Sequence, residues 1–271
     1  METILLPVIA LTIIGCALAF LLVLAAKFLA VKKDETFEKI RECLPGVNCS
    51  ACGYASCDEY AKALLKGEET NKCVPGGDDT SRKISETLGV KFQDVIEMSA
   101  FVACSGECGV TTKKFNYSGV ETCAACNSLN QGEKSCDFAC LGYGDCIEVC
   151  QYDAIHIVNG IAKVDKAKCV GCGMCVKKCP NHLIKLIPQI DEVVVACSST
   201  HKGAATRLAC KEGCIGCKRC EKACISNAIE VKDNLAVIDY SKCTNCKACV
   251  RECPTHAIKE YRFCDFNKEI S

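Results

Sequence analysis

Twenty of the 29 cysteines in this 271-residue chain fall into runs with repeating intervals. Cys214, Cys217, Cys220 and Cys224 are spaced Cys-x2-Cys-x2-Cys-x3-Cys, as are Cys243, Cys246, Cys249 and Cys253-Pro254. Cys169, Cys172, Cys175 and Cys179-Pro180 repeat that spacing upstream. Cys136, Cys140, Cys146 and Cys150 give a stretched version, with Gly142 and Gly144 in the enlarged loop. A fifth set, Cys49, Cys52, Cys57 and Cys73, stands alone near the N-terminus. Thiols in such numbers can form disulfides, bind zinc or hold iron–sulfur clusters. Zinc favours two separated Cys-x2-4-Cys knuckles. Three close thiolates plus a remote fourth suit the corners of a four-iron cubane. Spacing therefore points to [4Fe-4S] clusters for the sixteen downstream cysteines, and to one more cluster, with zinc as the alternative, for the N-terminal four.

The paired runs resemble those of the bacterial two-cluster ferredoxins, in which the fourth cysteine of each run ligates the other cluster. That resemblance implies one cluster on Cys214, Cys217, Cys220 and Cys253, and its neighbour on Cys243, Cys246, Cys249 and Cys224. In the upstream copy it implies Cys136, Cys140 and Cys146 with Cys179, and Cys169, Cys172 and Cys175 with Cys150. The expected cofactors are at least five [4Fe-4S] clusters, with cysteines enough for six or more. Nine are surplus: Cys16, Cys43, Cys104, Cys108, Cys123, Cys126, Cys197, Cys210 and Cys264. Cys104-x3-Cys108 with Cys123-x2-Cys126 has knuckle-like spacing for a further cluster or zinc. Alternatively Cys104 and Cys123 join Cys197 and Cys210, or all are buried free thiols.

The elements that must carry these ligands begin with an apolar run. From Ile4 to Ala26 there are 23 residues without a charge, long enough to span a hydrocarbon core of about 30 Å. No basic segment precedes it, as a signal peptide would require. Glu2 lies before it, and Lys27, Lys32 and Lys33 lie at its end and beyond, which predicts a cell-membrane anchor with the bulk of the chain cytoplasmic. Reduced cytoplasmic thiols argue against a disulfide framework. Cys16 lies within the run and is expected to pack as a small hydrophobe. Lys+Arg and Asp+Glu balance at 33 each, so nothing suggests nucleic-acid binding through bulk positive charge. Trp is absent and aromatic residues make up 6 %, too few for a large conventional core.

The downstream half is a duplication. Cys150 to Cys169 and Cys224 to Cys243 are both 19 residues apart, and Cys150 to Cys179 and Cys224 to Cys253 both 29. Each fourth cysteine is followed by a similar string, such as Asp153-Ala154-Ile155 or His256-Ala257-Ile258, and then by short apolar strands. The predicted class is α+β: one N-terminal transmembrane helix, a small four-cysteine iron–sulfur domain and two tandem dicluster-ferredoxin-like modules. The divisions are an anchor over 1–31, the four-cysteine domain over 32–78, a helical spacer with extra cysteines over 79–130, the first module over 131–190, and linker plus second module over 191–271. Thr80, Ser81 and Asp94 are candidate helix starts in the spacer. His156, His182, His201 and His256 are scattered and read as surface or packing residues.

Anchor, four-cysteine domain and ferredoxin modules, in that order, resemble the B component of the Rnf electron-transport complexes, in its clostridial form. The resemblance runs through Asn48-Cys49-Ser50-Ala51-Cys52-Gly53-Tyr54 and Gly142-Tyr143-Gly144-Asp145-Cys146. It implies one component of a membrane ferredoxin:NAD oxidoreductase that translocates Na⁺ or H⁺, taking electrons from reduced ferredoxin and passing them to membrane and flavin subunits. No residue is expected to be catalytic, since this chain only relays. Lys177, Lys178, Lys211, Lys218, Arg219 and Lys222 lie among the ligands, as counter-charges to the clusters or as a docking face for an acidic ferredoxin. A stand-alone membrane polyferredoxin feeding another reductase, and a zinc-stapled interaction protein, are the alternatives.

Overall fold

The computed structural model describes the backbone of residues 2–28 and 35–261, and the side chains of 12–25 and 35–261. Cys264 and the flanking charges Glu2, Lys27, Lys32 and Lys33 lie outside the described side chains. Helix α1 spans Glu2–Phe28. Among the described residues no helix is long and apolar enough to cross a membrane; residues 12–25 of α1 cover about 21 Å. Those side chains are exposed and apolar all round, with Ile13, Leu18, Phe20 and Leu22 each more than half exposed.

The N-terminal domain is built from α2 (Glu35–Cys43), α3 (Cys57–Leu64) and α4 (Gly77–Leu88). Ile40, Tyr60, Leu64 and Ile84 are at most 2 % exposed and form its core with Cys73. Ser56 caps α3 by accepting the Glu59 N–H, and Gly89 ends α4 in the left-handed conformation. The expected helix from Asp94 does not form. The Val95 N–H is taken by Asp78 Oδ1 instead, and Met98–Val102 becomes strand β1.

The rest of the chain is two copies of one small unit. After β1 come α5 (Cys123–Ser128), α6 (Asp145–Glu148), the hairpin β2 (Ile155–Val158) and β3 (Ile161–Val164), α7 (Met174–Lys178) and β4 (Ile184–Pro188). The second copy runs β5 (Val193–Val195), α8 (Gly203–Ala209), α9 (Arg219–Ala223), the hairpin β6 (Ile229–Lys232) and β7 (Leu235–Ile238), α10 (Ala248–Glu252) and β8 (Ile258–Glu260). β1 pairs antiparallel with β4, and β5 with β8, so each copy is closed by a strand drawn from before its cysteine runs. Pairing matches Val102 with Ile184 in one copy and Val195 with Ile258 in the other. β1 therefore completes the first module from inside the segment expected to be a helical spacer.

Each hairpin packs over its cysteines: Ile155, Ile161 and Val164 in one core, Ile229, Leu235 and Ala236 in the other. The strings after each fourth cysteine also have a structural role. Asp153, His182, Asn227 and His256 all have φ between +47° and +53°, turning the chain from ligand into strand. Phe101, Ala103, Ile187 and Val194, with Tyr240 and Tyr261, form a small core between the copies.

Candidate iron–sulfur centres

Among the 28 described cysteines, all but Cys16, Cys43, Cys108 and Cys126 gather into six groups of four. Group I is Cys49, Cys52, Cys57 and Cys73. Asn48 Oδ1 accepts the Cys57 N–H at 2.8 Å, which fixes the loop at the start of α3. Burial pushes the Cys73 thiol up to about 11, and the charges of Cys52, Cys57 and Cys49 add to it.

Group II is Cys150, Cys169, Cys172 and Cys175, which line one pocket. Burial, with Cys169, Cys172 and Cys150 alongside, pushes Cys175 up to about 12. The Ala100 N–H in β1 donates to Cys169 Sγ at 3.3 Å. The cross-over expected for Cys150 is thus present as a spatial grouping.

Group III is Cys123, Cys140, Cys146 and Cys179, which line a second pocket. Burial raises Cys146 to about 12, with Cys140, Cys123 and Cys179 contributing. Cys123 reaches this group because α5 starts there. Thr122 caps that helix, and buried Asp145 accepts the N–H groups of Cys123 at 2.6 Å and Ala124 at 3.1 Å.

Group IV is Cys104, Cys136, Cys197 and Cys210, which line a third pocket. Burial pushes Cys136 up to about 12, and Cys104, Cys197 and Cys210 add to it. The expected set of Cys136 with Cys140, Cys146 and Cys179 is therefore not the one the fold assembles. Cys136 faces the neighbouring cavity, and Cys123 stands where it was expected. Nor does the Cys104–Cys108–Cys123–Cys126 knuckle come together: these four divide between groups III and IV, exposed Cys108, and Cys126, which is buried outside both cavities.

Group V is Cys214, Cys217, Cys220 and Cys253, which line a fourth pocket. Group VI is Cys224, Cys243, Cys246 and Cys249, where burial raises Cys249 to about 11 with help from Cys243 and Cys224.

A single offset of 74 residues explains the exchange at groups III and IV. Adding 74 to Cys136, Cys140, Cys146, Cys150, Cys169, Cys172, Cys175 and Cys179 gives Cys210, Cys214, Cys220, Cys224, Cys243, Cys246, Cys249 and Cys253. The first run is thus a regular Cys140-x2-Tyr143-x2-Cys146-x3-Cys150, with Tyr143 at the position of Cys217. Cys123 makes up for the missing thiol. Cys104 and Cys197 each lie two residues beyond the first strand of their copy. Each accepts an N–H at 3.3 Å from an equivalent residue, Cys140 and Cys214 respectively. Group IV thus takes two equivalent thiols from each copy and sits on their local two-fold relation.

No group of three or more Cys, His, Asp or Glu side chains among the described residues converges on a single metal ion. Zinc would draw four sulfurs to about 3.8 Å of one another. Four thiols lining one pocket without converging on a single point instead fit a cage of several atoms. Thiols raised by burial keep their protons until a metal displaces them.

Neighbouring groups touch. Cys49 of group I adds to the raised state of Cys172 in group II, and Lys177 Nζ donates to the Cys49 carbonyl at 2.9 Å. Cys146 and Cys175 share one core, the Cys140 N–H donates to Cys104 Sγ, and the Cys214 N–H donates to Cys197 Sγ, both at 3.3 Å. Of the basic residues, Lys177 is thereby committed to holding two domains together. Lys218 and Arg219 pair at the surface with Glu221 and Glu252.

Family models match three stretches: "Putative Fe-S cluster" over residues 44–75, "4Fe-4S binding domain" over 162–185 and "4Fe-4S dicluster domain" over 213–257. The chain is 38 % identical over 260 residues to the B component of the Na(+)-translocating ferredoxin:NAD(+) oxidoreductase complex of Acetobacterium woodii, across 95 % of this chain and 78 % of that protein. It is 37 % identical over 264 residues to the B component of the proton-translocating ferredoxin:NAD(+) oxidoreductase complex of Clostridium ljungdahlii, across 96 % and 93 %. The B component of an ion-translocating oxidoreductase complex of Methanosarcina acetivorans is 37 % identical over 248 residues, across 91 % and 94 %.

Proposed function

The chain belongs to the B-component family of ion-translocating oxidoreductase complexes, and from that membership we propose that it relays electrons from reduced ferredoxin to partner subunits of such a complex. The complex couples ferredoxin:NAD oxidoreduction to Na⁺ or H⁺ translocation. In this reading the six groups hold six [4Fe-4S] clusters, and the apolar N-terminal helix anchors the chain to the cell membrane with the rest on the cytoplasmic side. The exposed apolar side chains around α1 support the anchor.

One observation carries the relay: groups II and III share one core through Cys175 and Cys146, and groups III to V are joined by N–H bonds from Cys140 to Cys104 Sγ and from Cys214 to Cys197 Sγ. Lys177 of α7 bonds the Cys49 carbonyl of group I, and groups V and VI exchange their fourth ligands through Cys253 and Cys224. A bound [4Fe-4S] cluster supplies reversible one-electron storage with little ligand movement. The residues of this chain set the conditions. Apolar strands keep water from the thiolates. Backbone N–H groups of Ala100, Ala162 and Ala228 donate to Cys169, Cys140 and Cys224 at 3.2–3.3 Å, which favours the reduced, more negative state. Group IV joins the two copies and would carry electrons between them.

Anaerobic reconstitution followed by iron analysis and paramagnetic resonance tests the assignment. Six clusters require about 24 irons per chain. Cys136→Ser or Cys210→Ser should lower the count to about 20, while Cys126→Ser leaves it near 24. An unchanged count in Cys136→Ser would remove group IV from the relay. Copurification without flavin-bearing partner subunits would instead favour a stand-alone polyferredoxin.

A further inference from the structure

Lys134 is 6 % exposed, yet no carboxylate among the described residues pairs with it. Its Nζ donates to two backbone carbonyls, Gly106 at 2.9 Å and Gly160 at 3.0 Å. The neighbouring carboxylates are engaged elsewhere. Glu133 holds Lys113 at 2.9 Å, Asp137 holds Lys114, and Glu107 holds Lys163 at 3.3 Å. A buried ammonium with only neutral partners is costly unless other negative charge lies near. Both carbonyls lead to the thiol groups: Gly106 lines the group IV pocket and its N–H donates to Cys104 Sγ at 3.3 Å, and Gly160 directly precedes β3, where the Ala162 N–H donates to Cys140 Sγ of group III at 3.3 Å. The Lys134 cation acts in the same sense on the Cys140 and Cys210 thiols, lowering both.

The surroundings hold that cation in place. Ser135 N–H donates to the Thr112 carbonyl at 2.8 Å and Lys114 N–H to the Glu133 carbonyl at 2.7 Å, which fixes the backbone on both sides of Lys134. The Gly160 carbonyl lies 2.6 Å from where a Cβ on Gly142 would stand, and Gly160 itself has φ +75° with Cys108 Sγ against it. That turn has no room to retreat. The opposite copy has no counterpart: the residue 74 positions on is Leu208, 86 % exposed. The cation therefore stands on one side only of an otherwise symmetric group.

We propose that Lys134 is a fixed positive charge shared by groups III and IV that sets their reduction potentials above those they would have without it, and that makes group IV electrically unequal toward its two copies. Each centre gains one electron from one neighbour and gives one to the next, so a cation beside the reduced, more negative state favours its filling. The inference rests on groups III and IV holding clusters.

The test compares wild-type full-length chain with Lys134→Met and Lys134→Arg, each reconstituted anaerobically. Iron content and thermal melting report assembly, and redox titration followed by paramagnetic resonance reports potential. Methionine keeps the volume and removes the charge; arginine keeps the charge. In Lys134→Met the reduced-to-oxidised ratio of two centres should fall about tenfold at the wild-type midpoint, about 59 mV for one electron. Lys134→Arg should restore most of it. If about 24 irons are retained and no centre shifts in Lys134→Met, the shared cation is refuted while the cluster assignment stands. A wild-type count of about 20 irons instead overturns group IV, and with it the shared role of Lys134. Should Lys134→Met fail to assemble, equal loss of iron in Lys134→Arg would assign Lys134 to packing and overturn the proposal, whereas full iron and wild-type potentials in Lys134→Arg would support it.

Discussion

Replacing Asp145 with alanine tests how Cys123 comes to stand in group III. The carboxylate is 4 % exposed and receives two N–H groups from the first turn of α5, at 2.6 and 3.1 Å. Hydrogen bonds to a charged group contribute about 1.5–3 kcal/mol each. The two share one carboxylate, so their joint loss should cost about 3–5 kcal/mol. That is a large part of the roughly 5–15 kcal/mol that holds a whole domain, and far more than a helix of six residues can supply alone. α5 should therefore detach and carry Cys123 away. Asp145→Asn keeps one accepting oxygen and should cost about 1–2 kcal/mol. The assay is iron content with paramagnetic resonance on reconstituted protein, alongside a melting curve. Asp145→Ala should lose up to about four irons and melt earlier, with Asp145→Asn between it and wild type. A variant Asp145→Ala with full iron and a Tm within about 2 °C of wild type would show that Cys123 is held by something else.

Two further outcomes follow from the contacts between parts. Lys177→Met removes the 2.9 Å bond to the Cys49 carbonyl that ties the N-terminal domain to the first module. Iron content should stay constant, while stopped-flow reduction shows slower transfer between groups I and II and limited proteolysis cuts more readily between the domains. Reversing Lys218, Arg219 and Lys222 to Glu should change stability by less than about 1 kcal/mol, because the pairs that Lys218 and Arg219 make are exposed. The same change should slow reduction by an acidic ferredoxin about tenfold at low salt and flatten its salt dependence; equal rates would mean the donor docks elsewhere.

The regular cysteine runs were legible because three thiols on one tight turn leave few other geometries. Cross-over to the remote fourth cysteine came from the resemblance to two-cluster ferredoxins. Groups III and IV were harder, because Tyr143 occupies a ligand position and local spacing then drew Cys136 into the gap. The signal was still present as the constant offset of 74 residues, which pairs Cys136 with Cys210 and Tyr143 with Cys217. For Cys123 the same offset misleads: it pairs Cys123 with Cys197, whose structural equivalent is Cys104. Cys123 lies in an insertion that the second copy lacks, and reaches its group only through Asp145. β1 was missed for a similar reason: Met98–Val102 is too short to declare itself, and its partner Ile184–Pro188 lies more than eighty residues on. Lys134 carried no sequence signal, since a lysine among many is exposed by default.

The two-plus-two origin of group IV has a consequence for biogenesis. Either half of the molecule offers that cavity only a pair of sulfurs, too few to retain iron. In the proposed assignment Cys104 and Cys136 wait for Cys197 and Cys210, so a cluster there would be loaded only after both copies have been synthesised and have docked. A truncated or misassembled polypeptide would fill its outer stations yet leave the crossing open. The gene duplication that produced two conductors thus also produced, at their seam, a check that both are present.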